Sequence, residues 1–142
     1  MTQFLGIMSG KGGVGKSTST INIGAALNYF GKNTAIIDAN LTTPNIGLHL
    51  GVPVVPVTLH DVLKGKNHIT EALYMHPSGM KVIPASISLD DLINVDPDNL
   101  KRVFNDLTGV DIALVDSSAG LGSTTISTLN AVDDVLIITN PE

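Results

Sequence analysis

An open, mostly parallel α/β sheet with helices on both faces is the fold class this sequence predicts. Three observations carry that prediction. Short aliphatic runs alternate with helical stretches, the order that βαβ units require. Three of the runs end in polar or glycine-rich tips, at Ser9-Gly10, Asp38 and Asp116. Only 4% of the residues are aromatic and none is Trp, so the core must be Ile, Leu, Val and Ala. Such aliphatic strands are typical of buried parallel sheets.

Phe4 to Met8 (FLGIM) reads as a buried strand ending at Ser9-Gly10. After a glycine-rich loop, Ser17 to Phe30 places Ile23, Ala26, Leu27 and Phe30 on one helical face, with Gly31 as the C-terminal cap. Thr34 to Ile37 (TAII) is the second strand and ends at Asp38, which completes a right-handed βαβ unit. Leu48 to Pro56 holds two prolines and reads as loop or a short edge element. Leu59–Leu63 and Ile69–Leu73 are expected as short helices, and Lys81–Ile83 as a strand. The leucines of 59–73 are expected to pack on the sheet. In the next helix, residues 97–108, Asp96 caps, Pro97 takes the first position and Leu100, Val103, Phe104 and Leu107 form the stripe. Gly109 ends it. Ile112–Val115 leads to Asp116, Gly120–Ala131 is a loop and helix, and Val135–Ile138 is a fifth strand. Ligands of open α/β sheets bind at the carboxyl ends of strands, so the three tips are expected to meet in one crevice.

At 142 residues the chain is expected to form one domain, residues 1–142. It has no cysteine, which removes disulfides and thiolate chemistry. The formal net charge of −5 and the scattered cations argue against nucleic acid as a partner. No apolar run approaches a membrane span, and MTQFLGIMSG lacks a basic signal-peptide region, so the expected location is cytoplasmic. His49, His60, His68 and His76 lie at least eight residues apart and lack cysteine or acidic companions at metal-ligand spacing. They are expected at the surface or partly packed rather than on a metal. Asp90 and Asp91 are expected to face solvent.

Gly10-Lys11-Gly12-Gly13-Val14-Gly15-Lys16-Ser17 fits G-x-x-x-x-G-K-[ST] between a strand and a helix, the context that makes it a phosphate-binding loop. Its glycines let successive N–H groups turn toward phosphate oxygens, and the following helix adds the positive end of its dipole. Lys16 is suited to the outer phosphates and the Ser17 hydroxyl to Mg²⁺. Asp116 closes an apolar strand (DIALVD) as a Walker B carboxylate does, and Asp38 is the other carboxylate placed to serve the cation.

A second lysine, Lys11, sits inside the same loop. KGGVGKST with that lysine, followed by IIDANLTTPNIGLHLG and LVDSSAGLG, resembles the deviant Walker A ATPases of the ParA/MinD superfamily, and within them the archaeal MinD proteins. The likeness continues to TNPE at residues 139–142.

The resemblance implies a P-loop fold acting as an ATP- and Mg²⁺-dependent switch that dimerises across two ATP molecules and separates after hydrolysis. In it Lys11 matches the residue that reaches the partner's phosphates, and Lys16, Ser17 and Thr18 match the phosphate and Mg²⁺ contacts within one subunit. Asp38 to Gly47 matches switch I, including Asn45, and its Thr42, Thr43 and Pro44 read either as mobile switch residues or as a polar turn. Asp116 to Gly122 matches the Walker B and switch II segment, with Ser117, Ala119 and Gly120. A protein regulator is implied as a partner, as is membrane contact at the inner face through a C-terminal segment. The role of Lys11 has independent support: phosphoryl transfer needs a second cation, and the single arginine, Arg102, lies on the helix of residues 97–108, away from the tips.

Two departures from the pattern matter. Where an Asp-x-Asp is usual, this chain has Asp38-Ala39-Asn40, and Asn40 can hold water but cannot serve as a base. Slow turnover and a long-lived ATP state are the expectation. The family also runs well beyond residue 142, so the final strands and base-recognition loops are expected to be missing, leaving an apolar edge beside Val135–Ile138 and poor behaviour as an isolated monomer. Besides the switch, an ATP-gated binding module with little hydrolysis remains a reading, as does a P-loop kinase or transferase, which would need acceptor-binding cations this chain scarcely offers.

Overall fold

The computed structural model describes residues 1–141; Glu142, the last residue of the TNPE stretch, lies outside the described residues. Six strands form one sheet: β1 (Gln3–Met8), β2 (Thr34–Asp38), β3 (Tyr74–Met75), β4 (Lys81–Ile83), β5 (Ile112–Asp116) and β6 (Asp134–Ile137), in the order β3-β4-β2-β5-β1-β6. Every pairing is parallel except β3 with β4. The helices are α1 (Lys16–Tyr29), α2 (Ile46–Leu50), α3 (Leu59–Leu63), α4 (Leu100–Phe104) and α5 (Ser123–Ala131).

Strand alternation divides the core between the two sheet faces. Ala35 and Ile37 of β2 and Ile83 of β4 join the larger cluster, with Leu59, Leu63, Ile69, Leu100, Val103 and Phe104. Phe4 stacks on Phe104 there, with ring centroids 4.7 Å apart. The leucines of 59–73 thus do pack on the sheet. Ile36 and Val82 face the other way and meet Ile46, Met80 and Ile21. Helices therefore cover both faces, as the sequence predicts.

The apolar face expected on α1 is not its buried face. Lys16, Thr20 and Gly24 are the buried residues of this helix, whereas Ala26 is exposed and Phe30 is 79% exposed. Close approach is the reason: a Cβ on Gly24 would lie 2.9 Å from Ile36 Cδ1 and 3.2 Å from Met80 Sδ, so the helix settles on its smallest residues. Gly24→Val is expected to lower stability by about 2 kcal/mol through overpacking, read from the denaturant midpoint. The C-terminal stop is where the sequence puts it. Gly31, at φ 89°, lets the Lys32 N–H return to the Leu27 carbonyl.

Elsewhere the elements differ in detail. The expected helix at 97–108 begins as a 3₁₀ turn at Pro97–Asn99 and is α-helical only over Leu100–Phe104, with its apolar stripe buried through Leu107. The Asp96 carboxylate accepts from the Asp98 N–H, as a cap should. Ile69–Ala72 is likewise a 3₁₀ turn. α2 and β3 were not expected at all. β6 is one edge of the sheet and β3 the other; Val135, Leu136 and Ile137 of β6 are 39%, 37% and 68% exposed. Among the described residues no helix is long and apolar enough to cross a membrane.

Candidate functional site

β1, β5 and β2 are adjacent, so their carboxyl ends lie side by side. Ile7 pairs with Asp116, and Asp116 with Asp38. The three tips do meet. The loop from Gly10 to Gly15 leaves β1 and delivers the chain to α1. Gly13 and Gly15 take φ values of 73° and 92°, which a side chain resists, and Gly15 forms the N-cap of α1. No side chain caps that helix end and no acidic residue stands in its first turn. Its N–H groups and dipole are thus left to an outside anion.

Lys16 is buried, and its Nζ lies 2.7 Å from Asp116 Oδ1. Ser17 Oγ donates to Asp116 Oδ2 at 2.9 Å and lies 3.2 Å from Asn45 Oδ1. One carboxylate therefore gathers the two P-loop side chains predicted for phosphate and cation. Asp38, 1% exposed, sits beside Asp116 with both oxygens engaged by backbone. Its Oδ1 accepts from the Asn40 N–H at 3.2 Å, and its Oδ2 from the N–H groups of Asn45 and Ile46 at 3.1 Å each. Burial, with the neighbouring Asp116 charge, pushes the Asp38 carboxyl up to about 7 in spite of these donors. A cation near the pair would relieve both carboxylates. The three backbone donors leave Asp38 Oδ1 one further lone pair.

Asn40 joins the segment after β2 to the segment after β5. Its Oδ1 accepts from Ser118 Oγ at 3.0 Å, Thr43 Oγ1 at 3.2 Å and Thr43 N–H at 3.4 Å. The Asp116 carbonyl receives the Ala39 N–H at 2.9 Å, and the Ser9 carbonyl receives the Gly120 N–H at 2.9 Å. Ser117 Oγ donates to the Ile7 carbonyl at 2.9 Å, which pins the start of the loop after β5 to β1.

A cleft of about 620 Å³ lies among these groups. The P-loop supplies Gly12, Gly13, Gly15, Lys16, Ser17 and Thr18; Asn40, Thr42, Thr43 and Asn45 come from the segment after β2, and Ser118 and Ala119 from the segment after β5. Of the predicted residues, Gly10, Lys11, Val14, Pro44, Ser117 and Gly120 do not line it, and Asp38 and Asp116 lie beneath its surface. Lys11 is exposed on the outer part of the loop. Ser9, which the sequence places at a strand tip without a binding role, lines it as well. Its hydroxyl is buried and, among the described residues, is the one buried side-chain polar atom without a hydrogen-bond partner. Such an atom calls for a ligand or a water.

These features fit a Mg²⁺-nucleotide: an uncapped helix end, two positive-φ glycines, a lysine, a hydroxyl, a strand-end carboxylate and an orphan hydroxyl beside them. One histidine departs from expectation. His60 is fully buried, because its two ring nitrogens are satisfied by backbone groups that the fold brings in from either side.

Fold and site together define a P-loop nucleotide-binding domain. The AAA-domain family profile matches residues 2–142. An uncharacterized ATP-binding protein of Methanocaldococcus jannaschii is 40% identical over 139 residues, covering 97% of this chain and 53% of that protein. The septum site-determining protein MinD of Pyrococcus horikoshii, solved with Mg-ADP, superposes with a TM-score of 0.94 at 38% identity, over 100% of this chain and 59% of that one. The MinC:MinD cell division complex of Aquifex aeolicus gives a TM-score of 0.84 at 32% identity, over 99% of this chain and 57% of that one. The chain belongs to the ParA/MinD family of P-loop ATPase domains. It spans about half the length of the curated relatives it matches.

Proposed function

We propose that this chain is a Mg²⁺-ATP-binding switch of the MinD/ParA type, which hydrolyses ATP slowly and dimerises across two bound nucleotides to recruit a protein partner or a membrane. The observation that carries the reading is the Lys16–Asp116–Ser17 cluster at the mouth of the glycine loop, with a second lysine exposed on that loop. Lys16 and the α1 N-terminus would hold the phosphates, and Ser17 and Asp116 the Mg²⁺. The metal supplies neutralisation of charge that develops on the phosphate oxygens. The homologous MinD of the MinC:MinD complex supports the choice of a protein partner.

Lys11 separates this reading from a simple nucleotide binder. Lys11→Ala is expected to leave ATP affinity within about threefold while removing ATP-dependent dimers. Phosphate release is expected to drop by roughly 10³-fold, the scale of a charge supplied in trans. Sedimentation with ATP, run beside a phosphate-release assay, checks both. Wild-type-like dimers and release in the variant would remove Lys11 from the mechanism.

A second reading, an ATP-gated binding module with little hydrolysis, is favoured by Asn40. Its oxygen is held by Ser118 and Thr43, and its other polar atom is an amide nitrogen that cannot take a proton. ATP-dependent dimers with negligible phosphate release in the wild type would select it.

A further inference from the structure

His60 lies on α3 and is fully buried, 19 residues from one hydrogen-bond partner and 26 from the other. Its Nε2 is 3.0 Å from the Leu41 carbonyl, and its Nδ1 is 2.9 Å from the Ser86 backbone nitrogen. A carbonyl only accepts and a backbone N–H only donates, so the ring is neutral with its proton on Nε2. Burial agrees, holding the His60 pKa below its ordinary value.

The Leu41 end of that bridge bears on the nucleotide cleft. Ala39 and Leu41 are buried in the core, and Ala39 is tied to β5 through the Asp116 carbonyl. Asn45 and Ile46 are tied to Asp38. Between these anchors stand only Thr42, Thr43 and Pro44, and the two threonines are exposed on the cleft wall. Pro44 faces the other way, into a second cavity of about 290 Å³ shared with Val52–Pro56 and Pro84–Ser88. The bridge through His60 therefore fixes one end of this three-residue lip to the loop that follows β4.

We infer that His60 is a positioning residue for nucleotide binding, holding the Leu41 carbonyl so that Thr42 and Thr43 are preset on the wall of the cleft. The inference rests on the nucleotide-binding reading of that cleft. It requires the Leu41 contact in particular, not merely a filled core position.

Two partial mimics separate those requirements. In His60→Gln the terminal amide reaches as far as Nε2 and can still donate to Leu41. In His60→Asn the side-chain oxygen sits near the Nδ1 position and can still accept from Ser86. Mg-ADP affinity is measured by titration of the intact protein, stability by denaturation, and exchange of the Thr42 and Thr43 amides by hydrogen exchange on the nucleotide-free protein. His60→Gln is expected to bind within about threefold of wild type with unchanged exchange. His60→Asn is expected to bind about tenfold more weakly, the scale of one lost buried hydrogen bond, with faster exchange at Thr42 and Thr43. Equal affinity and equal exchange for the two variants would overturn the inference. So would losses that follow unfolding stability alone. If wild type binds no Mg-ADP, the functional reading fails, and the exchange comparison still decides whether His60 holds the lip.

Discussion

Lys16→Ala is expected to weaken Mg-nucleotide binding about 100-fold, the loss of one strong charge-assisted contact to phosphate. It is also expected to destabilise the nucleotide-free protein by about 3 kcal/mol, because a fully buried Asp116 loses the cation 2.7 Å from it. The second effect has a pH signature. With Lys16 gone, Asp116 loses the cation beside it, and its charge, which together with burial raises Asp38 to about 7, is left unneutralised. A carboxyl raised in the folded state from 3.8 stabilises the fold as the acid. That contribution is full below the unfolded value and is lost as pH rises through the folded value. The destabilisation should therefore be greater at about pH 8 than at about pH 6. Isothermal titration and denaturation at both pH values check the two halves. A variant as stable as wild type at both would mean that Asp116 does not depend on Lys16.

The same cluster explains what could be read in advance. The P-loop was legible because its function forces residue types at fixed spacing: glycines where φ is positive, a lysine at the helix start, a hydroxyl after it. Asp38 and Asp116 were legible as strand ends, since a polar residue terminating an aliphatic run has few other reasons to be there. α2 was not legible. Its start is organised by the Asp38 carboxylate, which takes the N–H groups of Asn45 and Ile46 from seven and eight residues away, and no local pattern announces that. His60 was misjudged for a related reason. A histidine without further ligands at metal spacing reads as a surface or partly packed residue, yet its partners are two backbone groups from distant loops.

The α1 face was misread because hydrophobic periodicity counts large residues, while this helix approaches the sheet through Thr20 and Gly24. Large apolar residues at its end, Tyr29 and Phe30, are 84% and 79% exposed. Ser9 stands in the sequence as a strand tip, with nothing to mark its hydroxyl. Only the three-dimensional accounting of buried polar atoms brings its hydroxyl to notice.

Asn40→Asp is expected to raise phosphate release about 10²-fold, the lower end of what a general base contributes. The geometry explains why the substitution tests chemistry rather than folding. Asn40 Oδ1 already accepts from Ser118 Oγ and from the Thr43 hydroxyl and N–H, and a carboxylate oxygen accepts from the same three donors. The bridge between Ser118 and Thr43 is therefore kept. What changes is the other half of the side chain, where an amide that only donates becomes an oxygen able to take a proton. Asn40→Ala is the control that removes the bridge as well, and it should lower nucleotide affinity and release together. If Asn40→Asp leaves release unchanged while Asn40→Ala reduces it, Asn40 acts only by joining Ser118 to Thr43, and the slow step lies elsewhere. If Asn40→Asp raises release and shortens the life of ATP-dependent dimers in proportion, the missing carboxylate sets how long the switch stays closed.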